Sequence, residues 1–280
     1  MPFVATPSAV NVTKTALKGC FLAAILLAGV AAWPAPATAA SSIAPPTVDE
    51  LVEQFEQVVF GSEFADTKAS TMVRKWVQPL RITIRAFGEK VIKKEDGNEE
   101  RELKQTRVKR RHSDFIQDHL DTLVGLTGLK TEDIKQTAGN ENFSINFVPP
   151  HQMANPHLAK VNQKLLRKLA SQGGCYFLSW ADPKSGFILK ATIVVNVKRV
   201  INRIKHCILE EMVQSMGFPN DVNSRWSSVF SNREKVTQLS RSDSILIKTL
   251  YDPRMKPGLP RADAVKLARI IIAELDRTMP

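Results

Sequence analysis

His206-Cys207-Ile208-Leu209-Glu210-Glu211-Met212-Val213-Gln214-Ser215-Met216-Gly217-Phe218-Pro219-Asn220-Asp221 is the stretch on which the fold turns. At about 100° per residue, Ile201, Ile204, Ile208, Leu209, Met212, Val213 and Met216 share one broad apolar arc, which predicts a helix over residues 200–218. His206, Glu210 and Gln214 are spaced by four and climb the opposite side in one row. Glu211 adjoins that row, one turn above Cys207. Gly217 closes the helix, and Pro219 keeps the chain from continuing it. One side of this helix is built to be buried, and the other carries imidazole, carboxylate and amide towards a cleft.

The segments on either side supply a sheet and further helices. Thr47-Val48-Asp49-Glu50 has the spacing of a capping box, followed by Leu51, Val52, Phe55, Val58 and Val59 at helical intervals. Leu80, Ile82 and Ile84 alternate with Arg81, Thr83 and Arg85, which predicts a strand over residues 73–87 with an edge or bulge at Pro79. A helix is expected over 113–126 and a second strand where Phe143, Ile145 and Phe147 alternate with Ser144 and Asn146. A helix over 158–170, strands over 175–180 and 187–197, and helices over 242–251 and 261–277 complete the pass. The order predicts an α+β fold, one domain with a single mixed sheet packed on helices.

The chain has 280 residues, 43% of them hydrophobic, with 39 Lys+Arg against 28 Asp+Glu. That composition excludes disorder, collagen and a multi-span membrane protein. Residues 1–39 contain no acid and only two bases, Lys14 and Lys18. An apolar run from Cys20 to Trp33 follows, shorter than the roughly 20 residues that cross a bilayer. It ends in Ala37-Thr38-Ala39, which fits the cleavage rule for a secretory signal peptide. The mature chain is therefore expected to be periplasmic or secreted, without a transmembrane span. Its formal charge falls from +11 to +9 as the two lysines leave. Two cysteines remain, Cys175 and Cys207. An even pair in an oxidising compartment reads as a disulfide, the other reading being two buried free thiols. Residues 90–111 hold nine basic and five acidic residues around Asp96-Gly97. They include no aromatic for base stacking, so a solvated loop or hairpin is expected and no nucleic-acid partner.

Residues 210–220 also overlay the metzincin zinc-protease signature, in which H-E-x-x-H on a helix supplies two ligands and a base and a third ligand returns after a turning Gly. Glu211 matches the base and Gly217 the turn, while Glu210, Gln214 and Asn220 stand in the three ligand positions. Ser227-Ser228-Val229-Phe230 falls where metzincins have their Met-turn, with Phe230 in the methionine slot. Residues 206–258 more closely resemble a family of exported bacterial proteins classed as a domain of unknown function. The matching pieces are Cys207-x-x-Glu210-Glu211-x-x-Gln214-x-x-Gly217-x-x-Asn220-Asp221 and Leu250-Tyr251-Asp252-Pro253-Arg254-Met255-Lys256-Pro257-Gly258. The resemblance implies a zincin-like domain over residues 73–258, preceded by a leader and helix over 40–72 and followed by a C-terminal helix over 259–280.

Zinc prefers imidazole or thiolate, whereas Glu210, Gln214 and Asn220 offer one carboxylate and two amide oxygens. No metal and no other cofactor is expected, although His206 at i, i+4 from Glu210, or Asp221, would complete a site for an unknown ion. Without metal, Glu211 is a vestigial or atypical base lining a solvated cleft, where Gln in its place is tolerated. No G-x-S-x-G occurs, and His112, His119, His151 and His157 read as surface residues. Trp180 reads as a core or edge aromatic, or as part of a groove. Two functions follow. The first is a non-catalytic envelope binding or scaffold protein that takes an extended peptide or envelope protein along the strand at Cys175. The second is an atypical hydrolase that uses Glu211.

Overall fold

The computed structural model describes residues 44–62, 69–134, 140–171, 174–233 and 235–280, and the stretch read as a signal peptide lies outside them. The chain begins with α1 (Val48–Phe60), whose capping box closes as its sequence requires. Thr47 Oγ1 accepts from Glu50 N at 3.3 Å, and Glu50 Oε2 accepts from Thr47 N at 2.8 Å. Then come β1 (Ile82–Lys93), β2 (Glu99–Thr106), α2 (Arg110–Thr127) and β3 (Phe143–Val148). α3 (Gln163–Ser171), β4 (Cys175–Ala181), β5 (Ile188–Asn196), α4 (Ile201–Ser215), α5 (Arg241–Tyr251) and α6 (Arg261–Thr278) complete it. This is the mixed α+β architecture expected, and no helix among the described residues is long and apolar enough to cross a membrane.

The strands form one sheet in the order β2-β1-β3-β5-β4. β1, β3 and β5 run parallel in the middle, and β2 and β4 are antiparallel at the two edges. One face presents Phe143, Ile145, Phe147, Ala191, Ile193 and Val195 to a core shared with Ile116 and Leu123 of α2 and Ile208 and Val213 of α4. α1 and α6 enter the same core through Leu51, Phe55, Ala268 and Ile272. The other face is covered in part by residues 148–171, with Val148, Val194, Tyr176, Leu166 and Leu169 in a second, smaller cluster.

Several boundaries differ from the sequence reading. Lys75 and Leu80 make isolated bridges only, and the regular strand starts at Ile82, past Pro79. It extends to Lys93 because residues 86–93 pair with 99–106 as a hairpin around Asp96-Gly97. The helix expected from residue 158 begins at Gln163, where Asn162 accepts from Lys164 N at 2.8 Å and stops the helix from starting earlier.

His112 and His119 are not surface residues. They are 2% and 6% exposed, because α2 starts at Arg110 and turns both inward, with the His112 ring stacked on Phe147 at 4.5 Å. His151 and His157 are exposed, as expected. Burial, helped by Arg111 and Lys109, pushes the His112 imidazole down to about 4. Burial and Lys205 move His119 the same way. The folded chain thus holds these protons less tightly than the unfolded chain does. Their contribution to stability is complete above the ordinary histidine value of about 6.5 and is lost as pH falls towards 4. Denaturant midpoints measured across that window should drop with acid, and His112→Phe should flatten the profile. A wild-type profile with no slope there would refute the assignment.

Candidate functional site

α4 runs along the edge of the sheet, and its polar row faces a cavity of about 210 Å³ against β4. The row is not solvated. His206, Glu210, Glu211 and Gln214 are 2%, 8%, 5% and 4% exposed, respectively. A helical wheel shows which side is less apolar, but it does not show that residues 222–240 and β4 close over that side.

Each member of the row has a definite neighbour. His206 Nδ1 lies 2.7 Å from Val236 O, and a carbonyl only accepts, so Nδ1 carries a proton. Its other nitrogen, Nε2, is 2.9 Å from Glu210 Oε2, one turn on, in a bent contact that does not satisfy a straight hydrogen bond. Lys235 Nζ stands 4.0 Å from Glu210 Oε1. Gln214 Nε2 donates to Asp221 Oδ1 at 2.7 Å. Burial raises the Tyr176 phenol far above its ordinary value, and the phenol donates to Met153 O at 2.6 Å.

Gly217 makes the turn that the sequence implies. Its φ is +117°, and a Cβ there would lie 2.3 Å from Arg74 O. The chain then brings Asp221 back to the cavity. Asn220 points elsewhere and donates to Gln57 O at 3.0 Å, against the end of α1. Phe230 is fully buried with its ring 5.1 Å from Phe218.

The cysteines are joined. Cys175, the first residue of β4, is disulfide-bonded to Cys207 of α4 across a Cα–Cα distance of 5.9 Å. The bond fastens the start of the edge strand to the helix beneath it.

These positions do not fit a zinc ion. Glu210 and Gln214 line the cavity, while the third position, Asn220, faces α1. The one close set of metal-type donors among the described residues is Cys175, Glu210 and Glu211, with ligand atoms within 4.8 Å of one another. The Cys175 sulfur is already bonded to Cys207, so it offers no thiolate. The arrangement is a polar cleft in which α4 carries Glu210, Glu211 and Arg203, with Arg199 and Lys235 also in its lining.

Those cations, Arg199, Arg203 and Lys235, were not singled out in the sequence reading. Arg203 was within reach of it, since i−3 from His206 continues the polar row by one turn. Lys235 carried no local signal, because a long loop brings it in.

A family model described as a protein of unknown function (DUF2927) matches residues 48–269. No curated protein and no solved structure matches the chain.

Proposed function

The chain belongs to the DUF2927 family of proteins of unknown function, and from that premise we propose that it is a non-catalytic, zincin-like binding protein of the cell envelope that takes an extended peptide along β4. The observation that carries this reading is the open edge of the sheet. Among the described residues β4 pairs on one side only. Asn196 N donates to Gly174 O, so by the alternation of an antiparallel pair the backbone groups of Cys175, Phe177 and Ser179 point to the unpaired side. No backbone hydrogen bond reaches them among the described residues. Such an edge accepts a peptide by strand addition, with main-chain hydrogen bonds for affinity and alternate side chains for specificity. Alternate residues of a peptide seated there would reach the cavity beside Glu210, Arg203 and Lys235.

The zincin-like part of the reading is supported by Gly217, by the polar row of α4 beneath an antiparallel edge strand, and by the buried Phe230. The export part rests on the pattern of residues 1–39. With the donor set unsuited to zinc, Glu211 has no metal-bound water to deprotonate, and its burial makes it a wall of the cleft.

The test uses extended peptides selected from a random library on the purified chain. A selected peptide should slow amide exchange at Phe177 and Ser179 and be recovered uncut. Binding that leaves β4 exchange unchanged would sink the proposal. Cleavage that is lost in Glu211→Gln, with stoichiometric metal on elemental analysis, would replace it with an atypical hydrolase using Glu211 as general base.

A further inference from the structure

The face of the sheet turned away from α4 carries a second concavity. Residues 148–171 cover only part of that face, and a cavity of about 640 Å³ lies over the remainder, among Arg85, Phe87, Ser144, Asn146, Trp180 and Thr192. A further cavity of about 610 Å³ shares Phe87, Leu103 and His157 with it and continues along the β1–β2 hairpin. Together they make one groove, elongated and of ligand size.

Its floor is polar in the middle of the sheet. Ser144, Asn146 and Thr192 are 5%, 3% and 1% exposed and sit on the two central strands β3 and β5. Burying such groups is unfavourable unless they find partners, and here the partnering is incomplete. Ser144 Oγ donates to Thr192 Oγ1 at 3.0 Å. The Asn146 amide reaches Ser144 Oγ and Ile193 O only at 3.5 and 3.4 Å. Thr83, beside Ser144 in the register, has a buried hydroxyl with no partner. At one side Arg85 is paired with Glu141 at 2.8 Å, so the wall offers a donor fork and an acceptor without net charge. The aromatic surfaces are Phe87 and Trp180, with Lys190 Nζ 5.8 Å from the Trp180 ring centroid, and the register of β4 shifts at Trp180/Ala181.

We infer that this groove binds an oligosaccharide, with Trp180 as the platform for a sugar ring and Asn146, Ser144 and the Arg85–Glu141 pair as partners for its hydroxyls. A sugar ring combines an apolar C–H face with a rim of hydroxyls that both donate and accept, which matches an aromatic wall above amide and hydroxyl groups. A peptide fits this floor less well, because the groups it offers are side chains, and the strands beneath it are already paired on both sides. Lys160 and Lys190 line the groove as well and add donors for hydroxyls.

The probes are chitotriose, cellotriose and maltotriose, titrated into the purified chain by calorimetry and by amide chemical-shift mapping. At least one should bind and shift amides of residues 85–87, 144–146 and 190–192. Trp180→Ala should weaken that binding about tenfold or more. Trp226→Phe, far along the chain, should leave it intact. The inference is overturned by no binding of any of the three, by shifts confined to other residues, or by binding that survives Trp180→Ala. Should Trp180→Ala fail to fold, the shift map of the wild-type chain decides alone. Peptide capture at β4 is read separately by exchange at Phe177 and Ser179.

Discussion

Asp243→Ala should lower the stability of the fold by about 3–5 kcal/mol, because it strips three donors of one buried acceptor. Asp243 is fully buried and closes the capping box of α5, with its Oδ2 accepting from Ser240 N at 2.9 Å. The same oxygen accepts from Val229 N at 3.0 Å, and Oδ1 accepts from Ser228 Oγ at 2.6 Å. Ser228 Oγ in turn accepts from Gln54 Nε2 of α1 at 3.2 Å and from Phe230 N at 3.2 Å. One carboxylate thus ties α1, α5 and the turn at Phe230 together. The loop that follows delivers Lys235 and the Val236 carbonyl to the cleft, so the damage should reach His206. Burial raises the Asp243 pKa, against the hydrogen bonds it accepts. A raised carboxyl holds its proton more tightly when folded, so its contribution is full in acid and falls as pH rises through the folded value. Asp243→Asn, which keeps the shape and one acceptor, should cost less than Ala and remove that pH dependence. Urea unfolding of the three proteins checks this, and a loss below about 1 kcal/mol for Ala would show that the donors find water instead.

Asp243 also marks where sequence reading stopped short. Ser240-x-x-Asp243 has the spacing of a capping box, as does Thr47-x-x-Glu50, yet only the second was read as one. Local patterns of this kind are legible because partner and donor lie within one turn. The apolar arc of α4 and the turn at Gly217 were legible for the same reason. What covers an element is a long-range matter. His206, Glu210 and Glu211 are buried by residues far along the chain, and periodicity carries no information about those. Ser144 and Asn146 show it most plainly. Their alternation with Phe143, Ile145 and Phe147 gave the strand correctly, but a polar residue in an alternating strand implies solvent, and here it lies beneath a groove. The departure of Asn220 towards Gln57 is equally invisible to spacing, since a ligand motif fixes where a residue stands in the chain and the turn after Gly217 fixes where it points.

Removing the Cys175–Cys207 bond should cost about 3–4 kcal/mol on the loop-entropy model, given a sequence separation of 32. The size follows from the unfolded chain, which is free to spread the intervening strands and loop once the cross-link is gone. The location makes the loss functional as well as thermodynamic. Cys207 is one turn before Glu210 and Glu211, and Cys175 is the first residue of the edge strand above them, so the bond sets the spacing between the two walls of the cleft. Among the described residues β5 is the one strand that pairs with β4. In a Cys175→Ser, Cys207→Ser double variant the start of β4 should exchange its amides faster than the paired residues of β3, while the buried core under α2 keeps its protection. Peptide capture should weaken along with the edge, because a strand that must first be ordered offers its hydrogen bonds at an entropic cost. Denaturant unfolding of the wild-type chain with and without a reductant should reproduce the stability loss of the double variant. Two free thiols in the native protein by mass, or a double variant as stable as wild type with unchanged exchange at β4, would break the link between the disulfide and the cleft.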